Sequence, residues 1–248
     1  MRIAQDHWLK NSNIAHRGLH NGILPENSMG AYRAAMQAGF PVEIDVHLTT
    51  DGKVVIFHDH NTKRVCGVDM EVEKSTFAQL QELRLSGTDE KIPLLTDLLE
   101  IATTPILVEL KNLTKQIGAL ESETLRLLKE SNCEFAIQSF NPYSIIWYHE
   151  NAPEVLRGQL SSFYETEKRC MQRRMLKVMW FNKKSLPDFI SYEEKNMPNK
   201  YVTKYCKKHP ETLKLVWTVK SQNRQNQLIG NADSFIFEGY IPSEAELR

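Results

Sequence analysis

The chain has 248 residues, 41% of them hydrophobic and 25% charged, and 31 Lys plus Arg balance 31 Asp plus Glu. A chain of this length can bury a sizeable core, and the composition is that of an ordinary soluble globular protein rather than a disordered or fibrous one. Zero net charge argues against a dedicated nucleic-acid binder, which carries a basic excess.

No apolar stretch approaches the ~20 residues needed to span a bilayer, and residues 1–13 lack the apolar core of a secretory signal. Cys66, Cys133, Cys170 and Cys206 are scattered, with no Cys-x-x-Cys pair. That pattern predicts separate reduced thiols in a cytoplasmic protein.

Along the chain, short β-rich runs alternate with helical patterns, as expected for parallel strands joined by helical crossovers. Strands are predicted at 13–18, 42–48, 54–58, 106–111, 135–140, 156–160, 188–192, 213–219 and 234–238. Helices are predicted at 28–38, 76–85, 96–102, 114–131, 142–150, 164–177, 200–208 and 221–229. The first helix carries Ala31, Ala34, Ala35 and Ala38 at helical spacing, with Asn27 or Ser28 as N-cap and Gly39 as terminator. The second opens with Thr76 three residues ahead of Gln79, a capping-box pattern. No repeat or Gly/Ser linker divides the chain, which predicts one domain over 1–248.

Nine strand candidates are one too many for an eight-stranded barrel, and turn chemistry decides which to set apart. Asp51-Gly52 between 42–50 and 53–58 is a hairpin signal, so those two runs should pair antiparallel. A parallel neighbour would need a much longer crossover. The run 54–58 is then a returning arm, and the other eight close a TIM-type (β/α)8 barrel with a β-hairpin extension after the second strand. With Asp51 and Gly52 as a two-residue loop, Thr50 faces Lys53 and Asp45 stands opposite His58. Glu43 shares the face of Asp45, because strand side chains alternate.

Glu43, Asp45 and Glu109 are acids on strands that otherwise read as buried, where a carboxylate is costly unless paired or bound to metal. Pairing with Arg17, Lys111 or Arg157 is the plainer explanation. Three acids beside two histidines favour a hard divalent cation, Mg2+, Ca2+ or Mn2+, because an all-oxygen set disfavours zinc. His16 and His58, at apparent strand ends beside Arg17 and Asp59, suit an acid–base pair. His7, His20, His47, His60, His149 and His209 are expected to be satisfied core or surface residues. Arg17 and Lys111 suit a phosphate. Asn27 reads first as a helix cap, Glu26 equally as a substrate contact, and Trp217 as core or an apolar pocket wall. The basic segment 168–184, with Met171, Met175, Trp180 and Phe181, reads as a solvated helix with a buried face rather than a membrane contact.

His16-Arg17-Gly18, Pro25-Glu26-Asn27, Glu43-Ile44-Asp45, Asp51-Gly52 and His58-Asp59 together resemble the glycerophosphodiester phosphodiesterase family. Ile92-Pro93-Leu94-Leu95, Glu109-Leu110-Lys111, Ser139-Phe140 and Trp217-Thr218-Val219 resemble its later blocks in the same order. The resemblance implies a TIM-type barrel with its site at the C-terminal strand ends. It also implies metal at Glu43, Asp45 and Glu109, catalysis by His16 and His58, and phosphate contacts from Arg17 and Lys111. Arg64-Val65-Cys66 replaces the usual Arg-Thr-Thr, Phe237-Glu238-Gly239-Tyr240 replaces the usual Thr-Asp, and residues 141–212 match poorly.

The activity so implied is metal-dependent hydrolysis of a small glycerophosphodiester to sn-glycerol 3-phosphate and an alcohol, with water or the substrate's own glycerol hydroxyl as nucleophile. The alternatives are a lysophospholipase D or sphingomyelinase D-like enzyme on the same barrel, and a non-catalytic phosphate-binding module. The intact histidine pair counts against the module. The alcohol released and the oligomeric state stay open.

Overall fold

The structure is a computed structural model that describes residues 3–112, 116–163 and 171–243. Its strands are β1 (Asn13–His16), β2 (Val42–Leu48), β3 (Val54–Ile56), β4 (Ile106–Leu110), β5 (Phe135–Ser139), β6 (Arg157–Ser161), β7 (Phe189–Glu193), β8 (Leu213–Val219) and β9 (Ser234–Phe237). They form one sheet in the order β1-β9-β8-β7-β6-β5-β4-β2-β3, and β1 also pairs with β2. This is the expected eight-stranded parallel barrel, with β3 as the extra strand outside it. All nine strands lie within two residues of their predicted positions.

Contacts divide the chain into two compact units, Ala15–Phe135 and Met1–Ile14 with Ala136–Arg248. In the first, β1 and β4 flank β2 in parallel, with His16 beside Glu43 and Asp45 beside Glu109. Val42, Ile44 and Val46 are wholly buried on one face of β2, and Glu43, Asp45 and His47 are buried on the other. Segment 57–94 folds over the hairpin around a second core of Val55, Phe57, Val65, Val72, Leu80, Leu83, Leu85 and Ile92. In the other unit, β6 to β9 run parallel. Ile190, Tyr192, Val202, Val216, Leu228 and Phe235 form a core there.

The hairpin register differs from the predicted one by a residue. Val46 pairs with Ile56, His47 with Val55 and Leu48 with Val54. The Phe57 N–H donates to the Asp45 carbonyl at 2.9 Å, so Phe57, not His58, stands opposite Asp45. The cause is a wider loop. Thr49 N–H donates to the Lys53 carbonyl at 2.9 Å, leaving Thr50, Asp51 and Gly52 as a three-residue turn with Gly52 at φ 73°. That is the next most common hairpin after the two-residue one. The Asp51 carboxylate fixes it, accepting from the Thr49 hydroxyl at 2.7 Å and from Phe77 N–H at 3.0 Å. Strand β3 therefore ends at Ile56, and His58 lies in a bend beyond it.

Helix Met29–Gln37 is capped by the Ser28 hydroxyl rather than by Asn27. The capping box at Thr76 and Gln79 is present, but its helix is the single turn Phe77–Leu80. Leu80, Leu83 and Leu85 are buried together, a spacing that a continuous helix would not place on one face, and a 3-10 turn follows at Leu85–Gly87. The other described helices are Leu95–Ile101, Ala119–Glu130, Pro142–Asn151, Met171–Lys177, Lys200–Lys208 and Gln222–Leu228, with short turns besides. The helix predicted at 114–131 begins only at Ala119, its predicted residues 114–115 lying outside the described residues, as does the first half of that at 164–177, with Lys168, Arg169 and Cys170. No helix among the described residues is long and apolar enough to cross a membrane. Cys66, Cys133 and Cys206 are free thiols, each pushed by burial up to about 11.

Gly18 shows how tightly the first turn is built. It sits at φ 77°, and a Cβ there would lie 2.7 Å from the Ala31 carbonyl carbon, a backbone atom that cannot yield cheaply. Gly18→Ala should therefore cost at least about 2 kcal/mol, from left-handed strain plus overlap. Urea unfolding of the two proteins measures this, and a loss below about half a kcal/mol would contradict the packing described.

Candidate active site

Strand β2 carries the centre of the site. Glu43 and Asp45 are each 1% exposed, and β4 brings Glu109 alongside at 7%. One oxygen from each of the three carboxylates lies within 4.8 Å of the others. Two cations enter this acidic group. Lys111 Nζ is 2.8 Å from Glu109 Oε1 and 3.2 Å from Asp45 Oδ1. Arg17 Nε is 3.3 Å from Asp45 Oδ2, and the Arg17 backbone N–H donates to Glu43 Oε2 at 3.2 Å.

Local backbone geometry makes these contacts. Arg17 and Asn27 both adopt φ 55°, uncommon for side-chain-bearing residues and the kind of strain that gathers at functional sites. The turn lets Arg17 reach Asp45 and also donate to Glu26 Oε1 at 2.9 Å. Asn27 donates from Nδ2 to Asp45 Oδ2 at 2.9 Å, and its Oδ1 accepts the Tyr32 hydroxyl at 2.6 Å. Asn27 thus holds a carboxylate instead of capping the helix. Burial and the negative charge of Asp45 push the Tyr32 phenol well up, which keeps it a donor.

Three carboxylates against two cations leave the interior acidic. Burial, then Asp45 and Glu109, drive Glu43 well above the usual carboxylate range. Burial also raises Glu109, although Lys111 opposes it. Asp45 goes the other way: burial is outweighed by Lys111, His58, Arg17 and the Asn27 hydrogen bond, which hold it ionised. Burial opposes the charge on Lys111, but Glu109 and Asp45 raise it. An acidic, all-oxygen donor set whose carboxylates crowd one another fits a hard divalent cation.

His58 stands beside this group. Its Nδ1 lies 2.5 Å from Asp59 Oδ1. Asp59, held near 2 against burial by Arg64 and His58, is itself gripped by Arg64 Nε at 2.6 Å. Arg64 also donates to both oxygens of Glu26, at 2.9 and 2.6 Å. Burial lowers His58 to about 4, with Lys111 and Arg17 adding to the effect and Asp45 and Asp59 opposing it. Although the predicted register fails, the bend after β3 still brings His58 within electrostatic reach of Asp45. His58, Asp59, Arg64 and Lys111 line one cleft.

His16 ends β1, half-buried, next to Glu43 in register, and its ring lies near that of His20. Trp217 belongs to the other unit, on β8. Its ring meets Phe140 edge to face at 5.5 Å, and its buried Nε1 finds no hydrogen-bond acceptor among the described residues. Arg157 is engaged in that unit by Asp188 and by the carbonyls of Ser185 and Leu186, so it does not serve as the acids' counter-charge.

Sequence reasoning missed Tyr32, Asp59 and Arg64 as parts of this network. Asp59 and Arg64 carried a signal, an acid adjacent to His58 and a cation five residues on. Tyr32 carried none beyond its place near the start of a helix.

The family model for the glycerophosphoryl diester phosphodiesterase family matches residues 16–234. The chain belongs to this family. It is 31% identical over 161 residues to the uncharacterized protein YqiK of Bacillus subtilis, covering 60% of this chain and 66% of YqiK. It is 29% identical over 201 residues to a glycerophosphodiester phosphodiesterase of Caldanaerobacter subterraneus, covering 74% of this chain and 81% of that one. Among solved structures, an Oleispira antarctica phosphodiesterase in complex with the product sn-glycerol-3-phosphate has the same fold. Its TM-score is 0.75 at 24% identity, covering 91% of this chain and 92% of that one.

The state of this family member's His58 can be tested directly. Its folded pKa of about 4 lies below the ordinary value of 6.5, so the fold favours the neutral ring. The stability His58 contributes is complete above about pH 6.5 and is lost as pH falls through about 4. NMR titration, with the resonance assigned by its loss in His58→Gln, should give a midpoint near 4; a midpoint near 6.5 would contradict the burial described.

Proposed function

We propose that the chain is a metal-dependent hydrolase of glycerophosphodiesters, releasing sn-glycerol 3-phosphate and an alcohol. The observation that carries this reading is the buried Glu43–Asp45–Glu109 group with Arg17 and Lys111 beside a neutral His58. It unites a place for a cation, two positive charges and a proton-transfer group.

In this reading Glu43, Asp45 and Glu109 would hold Mg2+, Ca2+ or Mn2+, which would supply Lewis-acid chemistry toward the phosphate. Arg17 and Lys111 bind the remaining phosphate charge, Arg17 oriented by Glu26 and Lys111 by Glu109. Asn27 keeps Asp45 turned inward. His58, fixed through Nδ1 by Asp59, offers Nε2 for proton transfer, and His16 completes the pair. One histidine takes the proton of the attacking hydroxyl as the new P–O bond forms. The other gives a proton to the departing alkoxide as the old P–O bond breaks. The substrate is a small molecule, and a cytoplasmic location suits the reduced thiols.

The test is turnover on glycerophosphocholine after chelation and re-addition of each cation, with a lysophosphatidylcholine arm for a lysophospholipase D. Activity should vanish with chelator, return with a hard cation and yield sn-glycerol 3-phosphate. Either His16→Ala or His58→Ala should lower kcat by at least about a hundredfold with little change in Tm. Full activity under chelation, or an active His58→Ala protein, would refute the mechanism; cleavage of the lysophospholipid alone would reassign the substrate.

A further inference from the structure

A second convergence of ligand-type side chains lies outside the carboxylate group. His47, fully buried near the end of β2, meets His60 and Glu73, which are each about one-third exposed. His47 Nδ1 lies 2.7 Å and His60 Nδ1 2.5 Å from the same Glu73 oxygen, Oε1. The two rings stand edge to face with centroids 4.9 Å apart.

His47 Nε2 lies 3.3 Å from the His58 carbonyl oxygen. Burial disfavours the charge on Glu73, but the two histidines outweigh it and keep Glu73 ionised. One nitrogen of each ring and one Glu73 oxygen lie within 4.8 Å of one another.

We propose that His47, His60 and Glu73 form a second metal site, selective for a divalent ion of the zinc class and separate from the hard-cation carboxylates. Two imidazole nitrogens and one carboxylate oxygen are a borderline-soft donor set, matched to zinc, cobalt or nickel rather than magnesium or calcium. The contact of His47 Nε2 with the His58 carbonyl matches the outer hydrogen bond that orients metal-bound histidines. Metal–nitrogen and metal–oxygen bonds of about 2.0–2.2 Å need the three donors slightly further apart than they stand. His60 and Glu73 are the partly exposed pair that can open to allow it, while His47 stays fixed in the sheet. The remaining coordination position falls to water.

The ion would act on the fold. His60 and Glu73 lie at the two ends of a loop already closed by Val72 N–H donating to the His60 carbonyl at 2.9 Å. That loop carries Arg64, and His47 touches the backbone of His58, so the site would brace the segment that holds the His58–Asp59–Arg64 chain.

Cobalt titration of the chelated, full-length protein in excess Mg2+ tests this, read by visible d–d absorption and by calorimetry, with Zn2+ as competitor. One equivalent of Co2+ should bind with a nitrogen-ligand spectrum, be displaced by Zn2+ and persist in Glu43→Gln. His60→Ala and Glu73→Gln, both at partly exposed positions, should each weaken cobalt binding at least about a hundredfold, since loss of an outer partner alone costs 10–100-fold. Absence of cobalt binding to the wild-type protein, or unchanged affinity in both variants, would overturn the site.

Discussion

The constraint on which the rest of the architecture depends is the burial of Glu43, Asp45 and Glu109 on two adjacent parallel strands. Isolated carboxylates taken out of water carry a penalty of several kcal/mol each, so the surrounding sequence must answer them. The answer comes from residues with unusual backbone or placement: Arg17 and Asn27 in left-handed turns, and Lys111 one residue past the end of β4. These neutralise Asp45 almost completely and Glu43 incompletely. An electrostatic deficit of that kind is what a cation-binding interior looks like before its cation is considered.

A second layer surrounds the first. Glu26, Arg64 and Asp59 form a chain of ion pairs from Arg17 to His58. The apolar cluster beneath segment 57–94 holds that chain in place, so the position of His58 depends on packing of Phe57, Val65 and Val72 as well as on hydrogen bonds. His58 is consequently half-buried, with one of its nitrogens fixed. Val65 and Cys66 follow Arg64 in place of two threonines: Val65 is buried in that cluster, Cys66 packs against it, and Arg64 still pairs with Glu26 and Asp59.

Much of this was legible in the sequence because it depends on local patterns. Short β-rich runs marked the buried strands, and the charged residues inside them, Glu43, Asp45 and Glu109, stood out for that reason. Asp51-Gly52 correctly signalled an antiparallel return. Its loop length was not legible, because the third loop residue is set by the Asp51 bond to Phe77, 26 positions away. Tyr32, and the convergence of His47, His60 and Glu73, were hidden for the same reason. Each depends on tertiary contact between residues that individually look like core or surface. The single turn at Phe77–Leu80 shows a good N-cap overridden by the burial of Leu83 and Leu85.

The central claim is that the three carboxylates are a cation site and not merely a buried ion-pair network. Thermal unfolding of the chelated protein as a function of added Mg2+ or Ca2+ tests it without reference to turnover, since a ligand bound only by the folded state raises the melting temperature with the logarithm of its concentration. The account predicts a progressive rise in Tm for the wild-type protein and a much smaller one for Asp45→Asn. Melting curves that coincide at every cation concentration would contradict it.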